Sequence, residues 1–225
     1  MKIIVTLFAF FITIISCNNQ KVETTVSKTG NINLPLITDT QATQLGIDSP
    51  VIEPTLIDTL TLIKSFSKNI LKLLKKKDYK TLATFFHPLL GVRFSPYGYI
   101  DTVKDQRLSA TQFLKLIAGG KKITWGIHHG TGDPIVLSIP NYFASYVYDA
   151  DFVNAEKKGY DKIIGKGNSL NNLFKIYPLA HFSESHFTGF DKKYAGMDWK
   201  SLRLVFQPYK NSLFLVAIIH DQWTS

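Results

Sequence analysis

An α+β domain, with N-terminal helices packed on a curved, mainly antiparallel sheet, is the fold this sequence predicts. Three observations predict it. Apolar residues recur at three- and four-residue spacing between positions 56 and 74. Two nearly continuous apolar runs, 202–206 and 213–220, stand near the end of the chain on either side of Pro208-Tyr209-Lys210-Asn211-Ser212. Helical patterns come first and the strand meander last. That order sets helices on one side of an antiparallel sheet instead of alternating them with parallel strands.

Positions 1–16 lie outside this fold. Met1-Lys2 is a short basic start, 3–15 is an apolar run broken only by Thr6 and Thr13, and Ser16 is small. Basic, then apolar, then small is the order of an export signal. At ~1.5 Å per residue the run covers roughly 20 Å, short of a hydrocarbon core of about 30 Å, so it is not read as a retained membrane span. Cys17 is the single cysteine of the 225 residues. The segment it opens, 17–50, is rich in polar residues such as Asn18-Asn19-Gln20, Thr24-Thr25 and Thr29-Gly30-Asn31 and reads as a tether. Leu34-Pro35-Leu36-Ile37 and Leu45 are its apolar exceptions.

The domain is expected to fill 51–225. Pro54 opens the first helix, whose apolar stripe is Leu56, Leu60, Ile63, Phe66, Ile70, Leu73 and Leu74. Lys64, Lys68, Lys72 and Lys76 recur every fourth residue on another face. Asp78 caps a second helix over 79–86, which Pro88 stops. Positions 91–94 read as a strand and Ser95-Pro96-Tyr97-Gly98 as a turn. Ser109-Ala110-Thr111-Gln112 is a capping box, and Gly119-Gly120 ends the helix it starts. A strand over 123–128 runs into the glycine-rich turn 129–134. Ser138 caps a helix with Pro140 in its first turn. Gly167-Asn168-Ser169 introduces a short helix with Leu170, Leu173 and Phe174 on one face. Positions 179–187 form a strand, and the two C-terminal runs form a hairpin. Residues 213–219 are apolar on both faces, as a central strand covered on both sides requires.

Ile14-Ile15-Ser16-Cys17 resembles the lipobox of bacterial lipoproteins. The resemblance implies cleavage before Cys17, diacylation of its thiol, and acylation of the new amino terminus, palmitate among the chains. Two or three chains, each buried CH₂ contributing about 0.8 kcal/mol, hold a protein stably on a bilayer. A lipidated Cys17 leaves no thiol for a disulfide, a nucleophile or a metal site. Asn18 after the cysteine resembles outer-membrane sorting. The resemblance therefore implies a protein of the cell envelope, lipid-anchored to the outer membrane. Its helices followed by a sheet look like the NTF2-like cone, in which a curved sheet cups helices around a pocket. His87-Pro88, the string 91–97, Gly167-Asn168-Ser169, Met197-Asp198-Trp199 and His220-Asp221-Gln222-Trp223-Thr224 also resemble an uncharacterised family of exported bacterial proteins. That resemblance implies a class and no activity.

The formal charge is +9, or +8 without Lys2. For an exported chain the anions within reach are lipid headgroups, lipopolysaccharide and cell-wall polymers, so no nucleic-acid partner is expected. The expected partners are the membrane, through the anchor, and an envelope protein, a glycan or a small ligand.

Six histidines invite a site. In a strand over 181–187, Glu184 and His186 share a face while His181 points the other way, so the three do not bind one metal. No metal and no cofactor is expected. The turn 128–133 could present His128 as a general base beside Asp133; the alternative is turn chemistry, with Gly130 and Gly132 as turn residues. His220-Asp221 ends the central strand, where Arg93, Arg203 and Glu184 can converge, either on a ligand or in an internal ion-pair network. Catalytic candidates are thus His128, Asp133, Glu184, His186, His220 and Asp221. Candidates for lining a ligand pocket are Arg93, Trp125, Tyr146 and Arg203. Neither a nucleophile elbow nor a phosphate loop is present. Two readings follow: a non-catalytic binding or accessory domain, or an envelope hydrolase or isomerase using a histidine–carboxylate pair.

Overall fold

The computed structural model describes residues 58–168 and 170–224. The signal, Cys17, the tether and Ser169 lie outside the described residues.

Helix α1 (Thr59–Lys76) is amphipathic: Ile63, Ser67, Ile70, Leu71 and Leu74 are buried, and Lys64, Lys68, Lys72 and Lys76 are exposed. It is described from Thr59 and ends at Lys77 in the left-handed conformation; Pro54 and Leu56 lie outside the described residues. Helix α2 (Tyr79–Ala83) is capped as the sequence predicts, with Asp78 accepting the Thr81 N–H at 3.1 Å. It stops before Phe86 because the main chain turns to strand pairing. Phe85 O accepts the Leu215 N–H at 2.8 Å, and the His87 N–H donates to Leu215 O at 2.9 Å.

Next come β1 (Val92–Ser95), β2 (Gln106–Leu108) and α3 (Ala110–Gly119), whose Ser109–Gln112 capping box is formed in both directions. Strands β3 (Lys122–Ile127) and β4 (Pro134–Ser138) make a separate two-stranded sheet and lead into α4 (Ile139–Tyr146), with Pro140 in its first turn. The chain continues through β5 (Lys157–Tyr160), α5 (Leu173–Ile176), β6 (His181–Phe187), β7 (Lys200–Tyr209) and β8 (Ser212–Gln222). The main sheet has the order β2-β1-β8-β7-β6-β5, and all its pairings are antiparallel except β1 with β8. Strand β8 is therefore central, as its two apolar faces require.

The architecture is mixed α+β with a mainly antiparallel sheet, and neither sheet is strongly curled. Strands β2, β4 and β5 are not among the elements expected from the sequence. Strand β6 begins at His181 and not at Leu179, whose side chain is exposed. Helix α5 is four residues long, and Leu170 and Phe174 are exposed, so the apolar face expected there does not form.

Each face of the main sheet has its own core. Leu202, Leu204, Phe206 and Ile218 face the helices. There Phe94 stacks on Phe113 at 6.0 Å and meets the edge of Trp125 at 5.5 Å, and Trp125 stacks on Tyr142 at 4.0 Å. Offset and edge-to-face geometries of this kind add to the area the rings bury. On the other face Phe182, Val205, Ala217 and Ile219 are covered by Ile100 and by Leu173, Ile176 and Tyr177.

Candidate functional site

Alternation along β6 and β7 sends Glu184, His186, Ser201 and Arg203 to the second of these faces. In register, Glu184 lies opposite Arg203 and His186 opposite Ser201, and Asp221 of β8 lies opposite Ser201. Arg203 is 0% exposed, so its charge must be met inside the protein. Its Nη1 donates to Asp221 Oδ2 at 2.8 Å, and its Nη2 donates to Gly165 O at 3.0 Å and Glu184 Oε1 at 3.2 Å. Nε lies 3.1 Å from Glu184 Oε2, off the direction of a hydrogen bond. Glu184 also accepts the N–H groups of Ile164 at 2.8 Å and Gly165 at 2.9 Å, and the Ser201 hydroxyl at 2.6 Å.

The two carboxylates respond differently to one arginine. Burial pushes the Glu184 carboxyl up, but Arg203, Ser201 and the Ile164 N–H outweigh it and hold the group below its ordinary value. Asp221 has only Arg203, its Oδ1 has no partner, and burial leaves it above its ordinary value. Ser201 has one proton, and at 2.6 Å it goes to Glu184. His186 Nδ1, 2.8 Å from Ser201 Oγ, must then carry a hydrogen and donate it. Burial lowers the His186 pKa, so the ring is neutral in that tautomer. Two glycines close the cluster. A Cβ on Gly165 would collide with Ser201 Oγ and Trp199, and one on Gly98 would lie 2.5 Å from the Asp221 carboxyl.

His220 faces the helices. Its Nε2 is 3.1 Å from Asp149 Oδ1, while its Nδ1 is buried without a partner. Lys200 pairs with the other Asp149 oxygen. Burial alone would raise Asp149, but His220 and Lys200 bring it below the ordinary carboxylate value. The remaining candidates are scattered. His128 Nδ1 is 3.2 Å from the Tyr146 hydroxyl, and it is the main-chain carbonyl of Asp133 that accepts the His128 N–H, at 2.8 Å. The Asp133 side chain is exposed. Trp125 is 0% exposed, inside the aromatic core, and its Nε1 donates to Leu137 O at 2.8 Å. Arg93 stands apart from the Arg203 cluster; its Nη1 donates to the main-chain oxygens of Thr102 at 3.2 Å and Asp105 at 3.1 Å.

Three of the surface recesses among the described residues stand out. One, of about 140 Å³, lies between Tyr97, Asp105 and His129. The Asp105 carboxyl there accepts the Ser95 hydroxyl and the Asp101 N–H, yet burial pushes it up to about 6. A mostly apolar groove of about 460 Å³ is lined by Leu108, Leu116 and Ile123. The third, of about 390 Å³, lies between α1 and strands β5 and β6. Lys64, Lys68 and Lys158 line it, together with Ser67, Ser183 and Ser185.

Sequence reasoning missed Asp149, Asp105, Ser201 and the serine–lysine recess. Asp149 lies 71 positions from His220, and no local pattern connects them. The signal that could have found the recess was present: Lys64 and Lys68 at helical spacing, and serines on the face of β6 that Glu184 does not share. Among the described residues no three His, Cys, Asp or Glu side chains converge as a metal site, and no helix is long and apolar enough to cross a membrane. Comparison with protein-family models, curated proteins and solved structures returns no match.

Proposed function

We propose that the protein is a cell-envelope lipoprotein, held on the outer membrane through Cys17, whose domain binds a ligand or partner without transforming it. One observation carries the binding half of this reading. Four of the six catalytic candidates are committed to internal partners: Glu184 and Asp221 to Arg203, His186 to Ser201, and His220 to Asp149. The open lysine–serine recess, by contrast, contains no histidine. The anchor rests on the order of residues at 14–17 and on the uniqueness of Cys17. The reading takes the fold as an NTF2-like cone, supported by α1 and α2, which precede the main sheet and lie on one of its faces.

Mass spectrometry of the chain recovered from envelopes tests the anchor. The expected mature chain begins at Cys17 and carries acyl chains; a free thiol there, or another start, overturns it. For the domain, a ligand that raises Tm is expected to be recovered unchanged after prolonged incubation. Its conversion to product would favour the second reading, a hydrolase or isomerase built on the buried His220–Asp149 pair. In that case His220→Ala would abolish turnover without unfolding the chain.

A further inference from the structure

We propose that the recess between α1 and β6 is a seat for the phosphate group of an anionic ligand, which names the ligand class for the binding reading on which it rests. Four-residue spacing puts Lys64 and Lys68 on the same wall, one turn apart, and Lys158 of β5 stands across from them. None of the three is in an ion pair among the described residues, whereas Lys75, farther along the same helix, is paired with Asp151 at 2.8 Å. Lys64 Nζ sits 5.5 Å over the Tyr160 ring, and Lys158 donates to Val153 O at 2.7 Å, which holds both ammonium groups at the site.

The floor is made of hydroxyls. Ser67 is 2.6 Å from Ile63 O and 2.7 Å from Ser183 Oγ. Its single proton goes to the carbonyl, so the Ser183 proton is donated to Ser67. Ser185 shares that face of β6, is 4% exposed, and has no hydrogen-bond partner among the described residues. Its hydroxyl is open to the recess and is a donor without a protein acceptor there. A phosphate oxygen between the lysines would accept that hydrogen.

Electrostatics favour an anion as well. The one carboxylate residue lining the recess, Glu184, contributes main chain there, and its side chain is on the far side of the sheet, neutralised by Arg203. The lysine charges are thus not cancelled locally. A volume of about 390 Å³ lies within the range of small-ligand sites and exceeds what a bare phosphate fills, leaving room for the esterified group. A lipid headgroup and a free phosphate ester present the same chemistry.

The test uses the full chain in vesicles of phosphatidylcholine, with the rates at which individual lysines react with an amine reagent read by mass spectrometry. In one arm glycerol 3-phosphate is added; in the other, phosphatidylglycerol is included in the vesicles. Slowing of Lys64 and Lys68 at least fivefold, with Lys121 and Lys122 unchanged, is the expected result. Slowing by the soluble ester identifies a free ligand, and slowing only in the phosphatidylglycerol vesicles identifies a headgroup. Ser185→Ala, which removes one hydroxyl and leaves α1 untouched, should weaken the effect three- to tenfold. Equal slowing of all four lysines, or of none, overturns the proposal. A neutral ligand that raises Tm while Lys64 and Lys68 react at their original rates would overturn the phosphate seat and leave the binding reading standing.

Discussion

The two faces of strand β6 carry polar residues of similar abundance and opposite fate. On one, Glu184 and His186 are closed over by the Ile163–Gly165 segment and bound to Arg203 and Ser201. On the other, Ser183 and Ser185 look into an open recess rimmed by unpaired lysines. A period of two residues puts these sets a single position apart in the sequence. The difference teaches that a strand dense in titratable residues need not be catalytic on the face where they lie. A buried charge depends on its internal partner, and a charge left unpaired at an opening is free for an external anion.

The sharpest way to break this comparison is Arg203→Met. It leaves Glu184 and Asp221 buried without their cation and should cost about 3–5 kcal/mol in urea unfolding, the usual penalty for removing one partner of a buried pair. A loss under about 1 kcal/mol would mean that the sealed face is not sealed.

Asp105 is a third case, a buried carboxylate whose neighbouring arginine donates to main-chain oxygens instead of to it. Its folded-state pKa of about 6 lies above the ordinary value. The folded protein therefore holds a proton that the unfolded chain releases, and stability falls as pH rises from about 4 to 6, by on the order of 3 kcal/mol from this group. Glu184 runs the opposite way: with its pKa lowered, its contribution is present above the ordinary carboxylate range and is lost as pH falls through it. Asp105→Asn should remove the fall between pH 4 and 6 and raise Tm at pH 8. An unchanged pH profile would contradict this.

Gly165→Ala comes next, since its methyl group would meet Ser201, Trp199 and His186. Overpacking of this kind costs about 1–3 kcal/mol, read as a lower urea midpoint with an unchanged slope. Smallest is the pair Lys64→Ala and Lys68→Ala on the open face, expected to change stability by under about 0.5 kcal/mol each, as exposed substitutions do. A larger loss would place those lysines in the structural network.

Legibility followed the range of the interaction. The α1 stripe from Ile63 to Leu74, the Asp78 cap, the 109–112 capping box and the β7–β8 hairpin depend on neighbours within a few positions and were readable, although Leu60, expected in the stripe, is exposed. Strand β5 was not, because Lys157-Lys158-Gly159-Tyr160 sits on the sheet edge and shows no apolar alternation. Trp125 and Tyr142 have the composition of pocket walls, and only their mutual stacking at 4.0 Å makes them core. For the site, the shared face of Glu184 and His186 was readable from period two. Which face is closed depends on Gly165 and on Arg203 finding Asp221, Glu184 and Gly165, 18 to 38 positions away. Serine in a strand has no signature of its own, so Ser185 gained meaning only when α1 was placed opposite it.

The claim that the two faces of β6 divide stability from binding is tested most directly by mapping amide NMR shifts while glycerol 3-phosphate, and separately phosphatidylglycerol, is titrated into the full chain in neutral detergent. Shifts that saturate and centre on Ser67, Ser183 and Ser185, with Gly98 and Lys121 unmoved, are the predicted result. Shifts centred on any other surface, or absent at Ser185 with both ligands, would contradict it.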